Sequence, residues 1–210
     1  MGNRVLEPIS DHHVGQRHLD RMVMLSDGVF AIAITLSAIE IRPEMKPGQT
    51  LWQAWSTPLA IYVLSFFLIG TVWALHRTIV AYLRDIDAVG TGLNLLLLGL
   101  VALMPVVIRF VFEGFEHGRG LQVYGMALGV TYACMALLWL HVAFIAKLAP
   151  DMAPSIARKW LRTMLTGSLT FSALALYEMH YRWAAMIVIL LMLVVLSSER
   201  LLALRGRKRE

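Results

Sequence analysis

Arg21-Met22-Val23-Met24-Leu25-Ser26-Asp27-Gly28-Val29-Phe30-Ala31-Ile32-Ala33-Ile34-Thr35-Leu36 is the stretch on which the fold turns. It has the apolar content of a membrane helix, yet it carries an aspartate near its start and an arginine six residues before that aspartate. An ionisable side chain in a spanning segment is costly, so such residues face a bundle interior or an aqueous path. Asp27 therefore sets this helix apart from the other apolar runs, which read as ordinary bilayer spans.

The chain has 210 residues, 58% of them hydrophobic and only 16% charged. Its mean hydropathy is +0.66, on a composition more apolar than the roughly 45–50% of a soluble domain. A helix needs about 20 apolar residues to cross a bilayer. Six runs qualify: residues 23–41, 58–81, 92–112, 121–146, 163–179 and 183–203. The expected fold is an all-α membrane protein with six transmembrane helices per subunit. Residues 1–20 form a cytoplasmic N-terminal arm, 21–204 the transmembrane domain and 205–210 a basic cytoplasmic tail. The short links leave no room for a soluble domain.

The basic residues set the orientation. With the N-terminus inside, the inner segments hold 14 of the 19 Lys and Arg residues, among them Arg77, Arg84, Lys147, Arg158, Lys159 and Arg162. Cytoplasmic loops carry this excess, which places both termini in the cytoplasm. In a soluble chain a net charge of +5 would raise nucleic acid as a partner. Here the charge is accounted for by the inner loops, and the tail from Arg205 to Arg209 is expected against anionic lipid head groups. The arm lacks an apolar core of the kind a signal peptide needs.

Enzyme signatures are missing. There is no HExxH, GxSxG, GxxxxGKS or GxGxxG pattern, so no enzymatic activity and no cofactor are expected. His12, His13 and His18 crowd the arm without a cysteine or acidic cluster to complete a metal site. Cys134 is the single cysteine, read as a packing residue.

The first helix has two kinds of face. Ile32, Leu36 and Ile39 form a bulky stripe, and Gly28, Ala31, Thr35 and Ala38 a small one beside it. Small residues allow close helix approach in membranes. A bulky stripe suits lipid, a core or a pore, and periodicity alone does not choose. Ser26 and Asp27 on the same helix favour an interior position. Arg21 and Asp27 lie too far apart for a direct i, i+4 pair, and His76, with Trp73 one turn before it, is a candidate bridge.

Arg21-x-x-x-Leu25-Ser26-Asp27, continuing through Leu36, closely resembles the Arg-x-x-x-Phe-Ser-Asp signature of the transmembrane protein 175 family of potassium channels, in its bacterial form. Trp73-x-x-His76-Arg77, the run Asn94-Leu95-Leu96-Leu97-Leu98 and Pro105 extend the likeness. Leu25 stands where the signature has phenylalanine. The resemblance implies a homotetramer in the bacterial inner membrane, with the first helices lining the pore and K⁺ passing through it. It implies a pore constriction at Ile32, Leu36 and Ile39, a selectivity role for Thr35, and an inner polar network of Arg21, Ser26, Asp27, Trp73 and His76. The alternatives are a proton-permeable channel or a proton-coupled transporter that uses Asp27 as its carrier.

Overall fold

The computed structural model describes residues 11–43, 45, 47–114 and 120–207, with the side chains of 11–14, 113–114 and 198–207 outside the description. The side chains of His12 and His13, and residues 208–210 of the tail, therefore lie outside the described residues. Among the described residues the chain is helical and contains no strand. The helices are α1 (Asp11–Ile39), α2 (Leu51–Ala81), α3 (Ala88–Ala102), α4 (Met104–Gly114), α5 (Gly120–Leu140), α6 (Pro154–Glu178) and α7 (Arg182–Arg207). A π-helical turn, His141–Ile145, ends α5.

Local chemistry marks the helix ends. Thr50 and Gln53 form a capping box at the start of α2: Gln53 N–H donates to Thr50 Oγ1 at 3.4 Å and Thr50 N–H to Gln53 Oε1 at 2.9 Å. Each bond satisfies an N–H group that the first turn would leave open. The cap starts α2 seven residues ahead of the expected boundary at 58, with Pro58 inside the helix. Asp87 caps α3, accepting from Gly90 N–H at 2.8 Å. Pro105 has no N–H to continue the ladder, and the helix breaks at Leu103 before resuming as α4. α1 begins at Asp11, so the last ten residues of the expected arm are its first turns.

Among the described residues, four helices are long and apolar enough to cross a membrane: Gly15–Ile39, Leu51–Ala81, Ala88–Phe112 (α3 and α4 together) and Gly120–Ile145. The expectation of six is met at this level only in part. α6 is a helix, but Arg158, Lys159, Arg162 and a run of Ser and Thr lower its hydropathy. The described apolar stretch of α7, Arg182–Ser197, is shorter than the others.

α5 sits at the centre, with Leu128, Met135 and Trp139 fully buried. Its glycines let α6 approach. A Cβ at Gly125 would lie 3.0 Å from the Phe171 carbonyl oxygen, and one at Gly129 would lie 2.8 Å from Ser172 Oγ. Ser168 Oγ donates to the Gly129 carbonyl at 2.9 Å across the same seam. α1 packs on α2, α3 and α4, and α7 packs on α6.

Candidate functional site

α1 presents two opposed surfaces. Phe30, Ala33, Ser26 and Ser37 are buried against the bundle. On the far side Ile32, Leu36 and Ile39 are 58%, 43% and 62% exposed, and Leu25, Gly28, Ala31 and Thr35 are exposed with them. Positions 25, 28, 32, 35 and 39 follow the alternating three–four spacing of a helix that meets other helices along a narrow seam. The constriction residues and the selectivity residue expected from sequence thus share one exposed apolar face.

Thr35 lies within that face. Its Oγ1–H is directed at its own helix, toward the carbonyls of Ala31 at 2.9 Å and Ile32 at 3.0 Å. The hydroxyl has one proton, so the oxygen's remaining lone-pair capacity is available outward.

The polar residues behind the face fall into two sets. Trp73 Nε1 donates to Asp27 Oδ1 at 2.9 Å, with the Arg77 guanidinium 5.7 Å from the Trp73 ring centroid. Separately, His76 Nε2 lies 2.7 Å from Asn94 Oδ1. Asn94 Nδ2 donates to Ser26 Oγ at 3.2 Å, and Ser26 donates to the Met22 carbonyl at 2.8 Å. Ser26, His76 and Asn94 are all buried, and the Phe30 ring packs 5.5 Å from the imidazole. Three helices are joined through one amide.

This arrangement pairs the expected residues differently. Trp73, not His76, holds Asp27, and His76 reaches α1 through Asn94 and Ser26. No hydrogen bond or ion pair joins Arg21 to Asp27 among the described residues of the single subunit. In the sequence Asn94 stood out only as the head of the leucine run that carries the family likeness, with no role in the polar network. Its signal was an amide inside a run of leucines, which is costly in a membrane unless it is bonded.

A further polar group joins the α2–α3 link to the end of α5. His141 Nε2 lies 2.8 and 3.0 Å from the two Asp87 carboxylate oxygens, and Arg84 makes a bidentate pair with Asp151 at 2.9 Å for both bonds. Partial burial pushes the Asp87 carboxyl up, but the Gly90 N–H and His141 outweigh it and hold the group below the ordinary aspartate value. The pattern Asp87-x-x-Gly90 before an apolar run was legible as a cap, whereas its imidazole partner 54 residues away was not.

The profile described as endosomal/lysosomal potassium channel TMEM175 matches residues 21–105. A Streptomyces collinus protein named as a potassium channel is 35% identical over 131 residues, covering 58% of this chain and 63% of its own length. A Chamaesiphon minutus protein, also named as a potassium channel, is 31% identical over 148 residues, covering 66% of this chain and 72% of its own. The chain is a bacterial member of the TMEM175 family. A chicken TMEM175 protein, named as an endosomal/lysosomal proton channel, is 25% identical over 125 residues, 25% of its own length. No solved structure matches the chain significantly. The TMEM175 match contains every residue of the two polar sets, from Ser26 to Asn94, and ends at Pro105, just past the helix break at Leu103. With four helices among the described residues apolar and long enough to span, the chain is an integral membrane protein.

Proposed function

We propose that this chain is a subunit of a homotetrameric potassium channel in which four α1 helices surround the pore. The observation that carries the reading is the exposed, heptad-spaced face of α1. It is apolar at Ile32, Leu36 and Ile39, while Ser26 on the opposite side is bonded to Asn94. A helix fixed from behind by a polar network and bare in front fits a place beside its own copies around an axis. The bacterial relatives named as potassium channels support the ion. Ile32, Leu36 and Ile39 then form an apolar constriction that gates by dewetting, and Thr35 places oxygen along it. An apolar ring gives no substitute for ion hydration, so discrimination between K⁺ and Na⁺ is modest. Both termini are cytoplasmic and the membrane is the bacterial inner membrane.

Proton permeation is the second reading. The exposed position of Asp27 on α1 and the name of the chicken relative favour it. Reversal potentials of the reconstituted chain, under opposed K⁺/Na⁺ and pH gradients, separate the two. A potential that follows K⁺ supports the proposal, and one that follows pH supports the proton path. Flux saturating at transporter rates overturns both.

A further inference from the structure

The exposed seam of α1 does not stop at Leu25. Counted back by the same three–four spacing it continues to Arg21 and His18. All seven positions, 18, 21, 25, 28, 32, 35 and 39, are exposed. The residues between them fix this rotation. Leu19 and Met22 are buried, as Ser26 and Phe30 are further along, so the inner turns rest on the bundle by the same side of the helix. Gly15 lets those turns lie directly on the α2–α3 link, because a Cβ there would come within 2.7 Å of the Asp85 carboxyl. The seam changes character along its length. It is apolar from Leu25 outward and basic at its two inner positions.

The surrounding charges leave His18 as the variable one. Between Gly15 and Arg21, α1 carries Arg17, His18, Asp20 and Arg21. Asp20 turns off the seam: with Gln16, Leu19 and Val23 it lines a cleft of about 370 Å³ closed by Val80, Leu83 and Arg84. α2 carries His76 and Arg77, engaged with Asn94 and the Trp73 ring. On the α2–α3 link Arg84 is held by Asp151 and Asp87 lies against His141, while Asp85 lies against Gly15. α3 has no charged residue, and Arg109 and Glu113 of α4 are at the far end of the span that begins at Ala88.

We propose that His18 and Arg21 line the inner mouth of the ion path, and that protonation of His18 raises the barrier to K⁺ entering from the cytoplasm. The inference rests on the tetrameric channel reading. With His18 neutral, each subunit brings two arginines against one aspartate to these turns, a net charge of one; protonation makes it two. Rings of charged side chains act on every ion that passes them, and a mouth lined by one sign of charge lowers the local concentration of ions of that sign. Histidine is the side chain that changes charge between about pH 5 and 8. Arg21 is then the fixed part of the mouth and His18 the adjustable part.

The test is the single-channel K⁺ current of the reconstituted full chain, with each face of the bilayer acidified in turn from about pH 7.5 to about pH 5.5. Acid on the cytoplasmic face is expected to lower the current entering from that face by about twofold or more. H18Q is expected to abolish that response, H18R to hold the current low at both pH values, and H12Q/H13Q to keep the response. A response that survives in H18Q, or that is lost only in H12Q/H13Q, overturns the inference. If H18R does not assemble, H18C is treated after reconstitution with a cationic thiol reagent, the native Cys134 being buried. A current that the added charge leaves unchanged then overturns it as well. Ile32→Asn separates the two readings. Altered conductance there, with the response intact in H18Q, removes the role of His18 alone. Unaltered conductance removes the pore reading and this inference with it.

Discussion

The indole of Trp73 donates to the carboxylate of Asp27 across 2.9 Å, so an aromatic residue of α2 holds the acid of α1. Trp73→Phe keeps most of the ring and removes the donor. A hydrogen bond to a charged group contributes about 1.5–3 kcal/mol when buried, and the exposure of Asp27 in the single subunit brings the expectation to about 1 kcal/mol. In a cycle with Asp27→Asn, melting in detergent should show coupling of that size. The cycle of Asp27→Asn with Arg21→Met should be additive within about 0.5 kcal/mol. Coupling there would mean that Arg21 reaches an Asp27 across a subunit boundary.

Asn94 is the joint between α1, α2 and α3. Asn94→Leu leaves Ser26 its bond to the Met22 carbonyl but strips the buried imidazole of His76 of its partner. An orphaned buried polar group costs about 1–3 kcal/mol, whereas replacing both partners by apolar groups is close to neutral. Asn94→Leu should therefore lower unfolding stability by about that amount, and Asn94→Leu/His76→Leu should recover most of it. A double variant as unstable as the sum of the singles would show that His76 has a further partner.

Much of this was legible locally. A missing N–H such as that of Pro105 acts within one turn, and an aspartate such as Asp87 directly before an apolar run is a local cap signal. The exposed stripe of α1 was visible as spacing. The partners of Asp27 were not. Trp73 and His76 lie three residues apart on one face of α2, so sequence brings both toward α1 without saying which reaches which residue. That choice depends on the sliding register of α2 against α1, which no local pattern encodes. Here the register sets the indole on Asp27 and the imidazole on Asn94. α6 is less apolar than the four candidate spans. Its hydroxyls are partly satisfied across helix seams, as Ser168 is by Gly129, so it packs without the apolar content of a simple span.

The α5–α6 seam offers a test of close packing. Gly125→Ala drives a methyl to 3.0 Å from a backbone carbonyl, while Gly129→Ala meets the more easily turned Ser172 hydroxyl at 2.8 Å. Overpacking costs about 1–3 kcal/mol, and Gly125→Ala should lie toward the upper part of that range. Gly70→Ala, with nothing within 4 Å, should be neutral or stabilising by up to about 1 kcal/mol, since alanine is the better helix former. Melting temperatures in one detergent rank the three.

Asp87 sets an acid limb. Its carboxyl titrates below the ordinary aspartate value, so the folded state favours the charged form. The stability it contributes is fully present above the unfolded value of about 3.9 and is lost as pH falls through the lower folded value. Asp87→Asn keeps a competent cap and removes the charge. Melting temperature followed from pH 6 down to pH 2 should fall less steeply for the variant below about pH 4. Parallel curves would mean that His141 and Gly90 do not favour the carboxylate.

The proposed pore roles of Thr35 and Ile32 are tested by permeation itself. The Thr35 proton is committed to the carbonyls of Ala31 and Ile32, so its outward contribution is an acceptor oxygen beside two bulky apolar neighbours. Thr35→Val removes that oxygen and preserves the shape, and Thr35→Ser restores it. A smaller K⁺/Na⁺ permeability ratio is expected in the first, with the ratio kept in the second. Ile32→Asn acts on the other term, because an amide at the proposed constriction would wet it. Conductance should rise and the preference for K⁺ should fall, since hydrated ions then pass with less dehydration. Bi-ionic reversal potentials and single-channel currents in planar bilayers measure both. A current per assembled channel unchanged in Ile32→Asn, together with selectivity unchanged in Thr35→Val, would place the exposed face of α1 against lipid and the ion path elsewhere.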